Sequence, residues 1–126
     1  MKNVINTINA PAPIGPYSQA ITAGNFVFVS GQVAINPSTN ELVLDDIKTE
    51  TKQVMENIKF ILTEAGIDFS NIVKTSIFLK DMQSFSQVNE VYGAYFKDLF
   101  PARETIQVAG LPKNVNVEIS VTAFKP

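Results

Sequence analysis

The sequence predicts an α+β or α/β domain in which one mixed sheet carries two helices on one face. Two observations lead to this fold class. Apolar residues recur at helical spacing in two segments, 46–65 and 84–99. Short segments of β-branched and aromatic residues flank them, which gives the order strand, strand, helix, strand, helix, strand, strand. The 126 residues are predicted to form one domain, 1–126, with one hydrophobic core.

The N-terminal part combines strands with an irregular segment. A short strand is expected near residues 4–7, and the prolines of residues 9–17 then exclude a helix. Residues 25–33 are rich in β-branched and aromatic side chains and predict a strand. Gly31 within it indicates a β-bulge or a close backbone approach. Residues 36–40 form a turn cluster.

The first helix is predicted over residues 46–65. Its buried stripe, at spacings of three and four, consists of Ile47, Val54, Met55, Ile58, Ile61, Leu62 and Ala65. Gly66 is typical of a helix C-terminus. Asp45 and Asp46 are the only close acidic pair that could serve an all-oxygen magnesium site. We interpret the pair instead as the approach to the helix start, where acidic residues are favoured.

The C-terminal half alternates strands with the second helix. Residues 72–79 predict a strand with Val73, Thr75, Ile77 and Leu79 on one face and Ile72, Lys74, Ser76 and Phe78 on the other. The apolar face of the second helix, 84–99, consists of Phe85, Val88, Tyr92, Tyr95, Phe96 and Leu99. Pro101 prevents its continuation.

Two further strands are predicted at 105–109 and 115–124, joined by a loop at 110–114. In the last strand one face is apolar and consists of Val115, Val117, Ile119, Val121 and Ala123. The other face is polar and consists of Asn116, Glu118, Ser120 and Thr122.

The strand at 25–33 is apolar on both faces. Phe26 and Phe28 lie on one side, and Val27 and Val29 lie on the other. With both helices on one face of the sheet, burial of the second face requires another subunit. The sequence therefore predicts an oligomer.

Composition restricts the chemistry. The chain has no histidine, cysteine or tryptophan, so we expect no zinc or other metal held by nitrogen or sulfur. The net charge is −2, the pI is about 5.0, and the basic residues are scattered, which argues against nucleic acid as a partner. No apolar run of about 20 residues and no secretory signal is recognisable, so we expect a cytoplasmic protein without a membrane partner.

Two polar side chains are the best candidates for function. Arg103, within Phe100–Thr105, carries a planar fork of donors that fits a carboxylate or phosphate. Glu118, within Val115–Val121, is able to move a proton. An arginine that holds an anion and a glutamate that acts on water would make a small hydrolase. The alternatives are a surface ion pair for Arg103 and a solvated position for Glu118.

Six short motifs follow one another in an order that resembles a known family. They are Ile14–Gln19, Val29–Gln32, Val73–Thr75, Phe85–Asn89, Phe100–Arg103 and Val117–Ile119. Together they closely resemble the Rid family, also called YjgF-type proteins, which are reactive-intermediate enamine/imine deaminases. The resemblance covers essentially the whole chain and is nearest to the RidA branch, which carries the arginine of the Pro-Ala-Arg motif.

The resemblance implies an architecture and an activity. It implies a chorismate-mutase-like α+β fold with a mixed six-stranded sheet, assembled as a homotrimer around a central sheet barrel with three sites between subunits. The implied reaction is hydrolytic deamination of short 2-imino acids, the tautomers of enamines released by PLP-dependent dehydratases. The products are 2-oxo acids and ammonia, and neither a cofactor nor a metal is required.

The resemblance also implies roles for individual residues. Arg103 would bind the substrate carboxylate, and Glu118 would position and activate the attacking water. Tyr17, from the adjacent subunit, would line the pocket and donate its hydroxyl.

Further residues would complete the site. Ser30 and Gly31 would form the wall of the cleft, and Asn89 would hold the site together. Thr105 would offer its backbone N–H to the carboxylate; many relatives have a cysteine there. Glu104 departs from the smaller residue usual after the arginine, but adjacent strand residues point to opposite faces, so it should not pair with Arg103.

Two other functions remain open from the sequence. The cleft could belong to a non-catalytic trimeric binding module or sensor for small carboxylates such as 2-oxo acids. RNA cleavage has also been ascribed to this family, but the acidic pI and the absence of histidine disfavour it.

Overall fold

The computed structural model describes residues 1–126. Its strands and helices are β1 (Lys2–Ile5), β2 (Ala20–Ala23), β3 (Phe26–Gln32), β4 (Ile35–Asn36), β5 (Glu41–Leu42), α1 (Ile47–Glu64), β6 (Ile72–Leu79), α2 (Phe85–Gly93), β7 (Ala102–Gln107) and β8 (Val117–Phe124). Short 3₁₀ turns occupy residues 69–71, 82–84 and 112–114.

One mixed six-stranded sheet forms the centre of the domain, as predicted. The strand order is β1-β2-β3-β8-β6-β7. β6 and β7 are parallel, and every other neighbouring pair in this sheet is antiparallel. β4 and β5 form a separate small hairpin around the predicted turn at 36–40. The sequence pattern gives no bounds for β2, which pairs with both β1 and β3.

The core lies between the sheet and the helices. α1 packs against β3, β8 and α2. The predicted apolar face of β8, from Val115 to Ala123, is buried, which confirms its alternating pattern. α1 begins where predicted, because the Asp46 carboxylate caps it by accepting from the Thr49 N–H at 2.8 Å. This cap confirms the interpretation of the acidic pair as a helix start.

Several boundaries and faces differ from the prediction. β1 is observed at Lys2–Ile5, whereas the sequence predicts a strand near residues 4–7, and β8 begins at Val117, two residues later than expected. β7 begins at Ala102, earlier than the expected residue 105.

α2 ends at Gly93, and Leu99 has a φ of 49° and is 92% exposed, so it does not belong to the buried face. Ala94, Lys97 and Leu99 favour a helix, so weak propensity does not explain the early end. Beyond Gly93 the Phe96 ring packs against Tyr92 and Phe69 without a continuing helix.

A bulge alters the first residues of β6. The β6–β8 register shifts between Ile72 and Lys74, so Ile72 is buried and Val73 is 46% exposed. The predicted faces are therefore wrong at these two residues and correct for Thr75, Ile77 and Leu79, which are buried.

The second face of the sheet is open in a single chain. Phe26, Phe28 and Phe124 lie together there with exposed fractions of 44%, 46% and 40%. Val27 and Val29 face the helices and are buried. The two-sided apolar character of β3 thus leaves one aromatic surface uncovered. Neither helix is long and apolar enough to cross a membrane.

Candidate active site

Glu118 lies against an irregularity in the neighbouring strand. The β3–β8 register shifts between Val29 and Gln32, at the bulge that Gly31 predicts. A Cβ atom added to Gly31 would lie 2.6 Å from Glu118 Oε2 and 2.8 Å from Glu118 Cδ. The missing side chain at Gly31 therefore provides the space that the carboxylate occupies.

The carboxylate of Glu118 has no compensating partner within the chain. It is partly buried, and no hydrogen bond or ion pair reaches it. Burial raises the pKa of Glu118 above its ordinary value, because removal from water disfavours the charged form. A carboxyl group with a raised pKa is a better proton acceptor near neutral pH, and such perturbed groups in clefts are typical of functional sites.

Glu118 opens onto a cleft of about 360 Å³. Tyr17, Ser30 and Gly31 line this cleft together with Glu118, as the sequence predicts for one site. Its other lining residues are Pro11, Ala12, Ile14, Gln19, Gln32, Val33, Ile35, Pro112 and Lys113. The wall is therefore mainly apolar, with a few polar groups, as is usual for small-molecule sites.

A buried glutamine holds the loop that carries Tyr17. The Gln19 side-chain amide donates to the carbonyl oxygens of Thr7, Ala10 and Pro11 at 3.0, 3.2 and 2.9 Å. Its Oε1 accepts from the Thr7 N–H at 2.8 Å. Ser30 adds a bond from its hydroxyl to the Ser18 carbonyl at 2.6 Å. These contacts attach the proline-rich segment to β3 and shape the cleft.

Arg103, the only arginine in the chain, belongs to a second cluster on α2 and β7. Its Nη1 donates to Asn89 Oδ1 at 2.7 Å. Its Cζ lies 5.7 Å from the centre of the Phe85 ring and 5.2 Å from that of Tyr92. The aromatic rings and the amide orient the guanidinium, and no carboxylate pairs with it. This arrangement leaves it ready to bind an anion.

The tyrosine beneath Arg103 is itself held in place. The Tyr92 hydroxyl donates to Thr75 Oγ1 at 2.9 Å. Burial raises the pKa of Tyr92, although the Thr75 hydrogen bond and the Arg103 charge oppose this effect. Tyr92 therefore stays neutral and serves as a support for the guanidinium.

Glu104 does not neutralise Arg103. Its carboxylate accepts from the Ser76 hydroxyl and lies 2.9 Å from Lys74 Nζ, on the face of the sheet away from the helices. The Ser76 hydrogen bond is the main cause of its lowered pKa. The prediction that alternation separates Glu104 from Arg103 is confirmed.

Thr105 lies on the outer strand of the sheet, two positions beyond Arg103. The Val108 N–H donates to the Leu79 carbonyl at 2.9 Å, and alternation then turns the Thr105 N–H toward the free edge. The Thr105 Oγ1 atom is buried and has no hydrogen-bond partner. A free N–H beside an unpaired guanidinium suits a carboxylate ligand.

Arg103 and Glu118 lie on opposite faces of the sheet in one chain. Arg103 is beside Thr75 in the β6–β7 register, and Thr75 bonds to α2. Glu118 is beside Phe78 in the β6–β8 register. Thr75 and Phe78 differ by an odd number of positions, so their side chains point to opposite faces.

The distribution of the site residues therefore differs from the one expected. The resemblance implies that Tyr17 comes from the adjacent subunit. It instead lines the same cleft as Glu118 of its own chain. Arg103 and Asn89 form a separate group, and Thr105 lies two positions beyond Arg103 on β7. The physical reason is the register of β7 and β8 on either side of β6, which places Arg103 beside Thr75 and Glu118 beside Phe78.

Sequence reasoning did not assign a function to several cleft residues. Gln19 belongs to the Ile14–Gln19 motif and lies between Ser18 and Ala20, directly before β2, so the motif itself is the available signal. Lys113 has a φ of 55° and lines the cleft in the 3₁₀ turn before β8. No group of three or more acidic residues in residues 1–126 is arranged to hold a metal ion.

Comparison with known protein families gives a match over nearly the whole chain. Residues 7–125 match the family described as Endoribonuclease L-PSP. A RutC family protein from Pyrococcus horikoshii is 54% identical over 125 residues, which cover 99% of this chain and 99% of that protein.

A human protein and a solved structure are also similar. The human 2-iminobutanoate/2-iminopropanoate deaminase is 45% identical over 125 residues, covering 99% of this chain and 91% of that protein. The crystal structure of YyfA from Yersinia pestis, a protein of the Rid family, has a TM-score of 0.96 and 50% identity, covering 98% of this chain and 99% of that chain.

Proposed function

Because the chain belongs to the Endoribonuclease L-PSP family, which includes the YjgF/Rid proteins, we propose that it is a 2-iminobutanoate/2-iminopropanoate deaminase. It hydrolyses short 2-imino acids to 2-oxo acids and ammonia, and it requires no cofactor. The similar human protein bears this name, and the residues of the two clusters suit the reaction.

The Glu118 carboxylate carries the proposal. It is partly buried, unpaired and placed in a cleft beside Tyr17, with a pKa that burial raises. A carboxylate in this state lowers the stability of the fold, because no hydrogen bond or opposite charge compensates the free-energy cost of removing it from water. A role as general base explains why the site keeps it.

The reaction requires only modest assistance. The protonated imine is a strong electrophile. A water oxygen forms a bond to its carbon, the electrons of the C=N π bond move to nitrogen, and Glu118 takes one proton from that water. The resulting carbinolamine receives this proton on nitrogen, the C–N bond breaks, and the electron pair leaves with ammonia. The hydroxyl then loses its proton to give the 2-oxo acid. A general base contributes about 10²–10⁴-fold to such a step.

Arg103 binds the substrate carboxylate in this proposal. Its guanidinium is oriented by Asn89, Phe85 and Tyr92 and has no acidic partner. The outward N–H of Thr105 adds a second donor. Fixing the carboxylate orients the imine carbon toward the water, which adds to the rate.

We also propose that the site is shared between chains of a homotrimer. Arg103 and Glu118 lie on opposite sheet faces, so one small substrate contacts both only if they come from different chains. The uncovered aromatic surface of Phe26, Phe28 and Phe124 supports such an assembly. A heterologous contact that closes on itself gives a ring with one site at each interface.

A coupled reaction tests the activity. A PLP-dependent dehydratase releases 2-aminoacrylate from serine or 2-aminocrotonate from threonine, and the loss of the intermediate is followed with and without this protein. The expected result is faster appearance of ammonia and 2-oxo acid in proportion to added protein. An unchanged rate would refute the proposed activity.

A second candidate is a non-catalytic binding module for small carboxylates such as 2-oxo acids. The unpaired guanidinium of Arg103 favours it, because this group requires an anion and not a reaction. A binding module would give 2-oxobutanoate binding without turnover in the coupled assay, whereas the deaminase gives both.

A further inference from the structure

Glu50 is a fully buried carboxylate outside both clusters. It lies in the first turn of α1 with an exposed fraction of 0%. Its Oε2 accepts from the Asn116 N–H at 2.8 Å and the Val117 N–H at 3.1 Å. Its Oε1 accepts from the Asn116 side-chain amide at 2.8 Å. These three bonds compensate the burial of the charge.

The bonds fall where β8 lacks a neighbour on one side. β3 pairs with β8 only from Ile119 onward, because β3 ends at Gln32, the residue opposite Ile119. On the other side, the Lys80 N–H donates to the Asn116 carbonyl at 3.0 Å. Glu50 therefore holds the free start of β8, which is the segment that carries Glu118.

We propose that Glu50 is a positioning residue for Glu118. The carboxylate of Glu50 takes the place of the missing β3 backbone at Asn116 and Val117, and so it determines how deeply Glu118 sits in its cleft. This inference rests on the proposed function for its effect on rate, but its effect on the state of Glu118 is measurable without any reaction.

The central test replaces Glu50 by a side chain of similar length that cannot accept hydrogen bonds. Glu50→Met leaves the Asn116 and Val117 N–H groups unpaired, so the start of β8 moves and Glu118 becomes more exposed to water. The pKa of Glu118, measured by NMR titration of its side-chain carbon, should fall by about half a unit or more toward its ordinary value. Amide exchange at positions 116 and 117 should accelerate at least tenfold.

Glu50→Gln is the conservative variant and should restore the wild-type behaviour. A glutamine oxygen in the position of Oε2 still accepts from both backbone N–H groups. We expect the Glu118 pKa to stay within about 0.2 unit of wild type and kcat within about threefold. For Glu50→Met we expect kcat to fall at least tenfold while the Kd for 2-oxobutanoate stays within threefold, because Arg103 is untouched.

Thr51→Val is the matched control. Thr51 follows Glu50 in α1 and is equally buried, but its hydroxyl donates to the Ile47 carbonyl within the helix at 2.7 Å. This variant should change thermal stability without changing the Glu118 titration. The charged groups that face Glu118 in the cleft, including Lys113 of the same chain, are the same in the Glu50 and Thr51 variants.

Asn116→Asp provides a second test that does not alter the core. It places a carboxylate against Glu50 Oε1 at a partly exposed position, and repulsion between like charges should accelerate amide exchange at positions 116 and 117 as Glu50→Met does. Unchanged Glu118 titration and amide exchange in folded Glu50→Met would overturn the inference, and so would unchanged amide exchange at positions 116 and 117 in Asn116→Asp if Glu50→Met does not fold. An equal shift of the Glu118 titration in Thr51→Val would also overturn the inference.

Absence of turnover in the wild type would refute the proposed function alone, since the Glu118 titration and the amide exchange still decide the role of Glu50.

Discussion

Two side chains of this chain carry charge without an opposite charge beside them, Glu118 on β8 and Arg103 on β7. An unpaired charge in a partly buried position costs stability, so both positions indicate function. Their environments differ in kind. Burial alone acts on Glu118, whereas two aromatic rings and Asn89 orient Arg103. The first environment suits proton transfer, and the second suits anion binding.

Glu118→Gln tests the general base. Glutamine keeps the shape and the hydrogen-bonding capacity of Glu118 but accepts no proton. We expect kcat to fall on the order of 10²-fold or more, while 2-oxobutanoate still binds.

In the wild type, activity should fall at low pH as Glu118 becomes protonated, and the raised pKa of Glu118 places this decline above the pH range in which an ordinary glutamate titrates. The variant should lack this acidic limb. Wild-type turnover of 2-iminobutanoate by the variant would show that Glu118 is structural.

Arg103→Ala and Arg103→Lys test the carboxylate site. Alanine removes the charge and the donors, so deamination and 2-oxo acid binding should both be lost. Lysine restores the charge as a single ammonium without the planar fork, so it should recover only part of kcat/KM. Steady-state kinetics and calorimetry measure the two effects. Near-normal kcat/KM in the alanine variant is the result that excludes this role.

At the scale of elements, the bulge of β3 determines whether Glu118 fits its cleft. Gly31→Ala places a methyl group 2.6 Å from Glu118 Oε2, which requires the carboxylate or the strand to move. We expect kcat to fall about tenfold or more by loss of alignment. Gly110→Ala is the matched control, because a Cβ at Gly110 meets nothing within 4 Å. Equal activity of the two variants would contradict the importance of this close approach.

The elements that the sequence predicts well are those with a regular periodicity. The first helix, expected at 46–65, is observed at Ile47–Glu64, and the strand at 72–79 has the expected bounds. α2 is shorter than its apolar stripe suggests. Phe96 stays in contact with Tyr92 and Phe69 after the helix has ended, and a pattern of apolar residues does not distinguish this packing from a continuing helix.

The same limit applies to β6 and β7. The bulge at Ile72–Lys74 exchanges two residues between faces, and β7 begins early because Ala102 pairs with Lys74. Both features depend on the partner strand, and the sequence of the strand itself contains no signal for its partner. Strand pairing therefore explains most differences between the predicted and the observed sheet.

At the scale of the molecule, the sequence motifs name candidate site residues but do not reveal how these residues are distributed. The motifs identified Glu118, Arg103, Tyr17 and Asn89 as candidates, and the structure places them in two clusters. Their separation follows from the order of the strands and from the registers of β7 and β8 on either side of β6. Strand order is a property of the whole fold, so local patterns do not reveal it.

The proposed trimer should depend on the open aromatic surface. Phe28 is 46% exposed on the free face of the sheet, and Phe28→Asp would bury a charge at an interface formed there. We expect this variant to give monomers in native mass spectrometry. Phe60→Asp introduces the same change at a phenylalanine of α1 that is 38% exposed, and it should remain trimeric. A wild-type monomer, or a trimeric Phe28→Asp variant, would contradict the proposed interface.

Mixing two inactive variants tests the shared site most directly. Arg103→Ala and Glu118→Gln chains are unfolded together, refolded at equal concentration and assayed for 2-iminobutanoate hydrolysis. If each site takes Arg103 from one chain and Glu118 from the next, every mixed trimer contains one intact site, and random assembly gives about a quarter of the wild-type rate. Each variant refolded alone should stay inactive. A mixture that remains as inactive as its components would contradict a site formed by Arg103 and Glu118 of different chains.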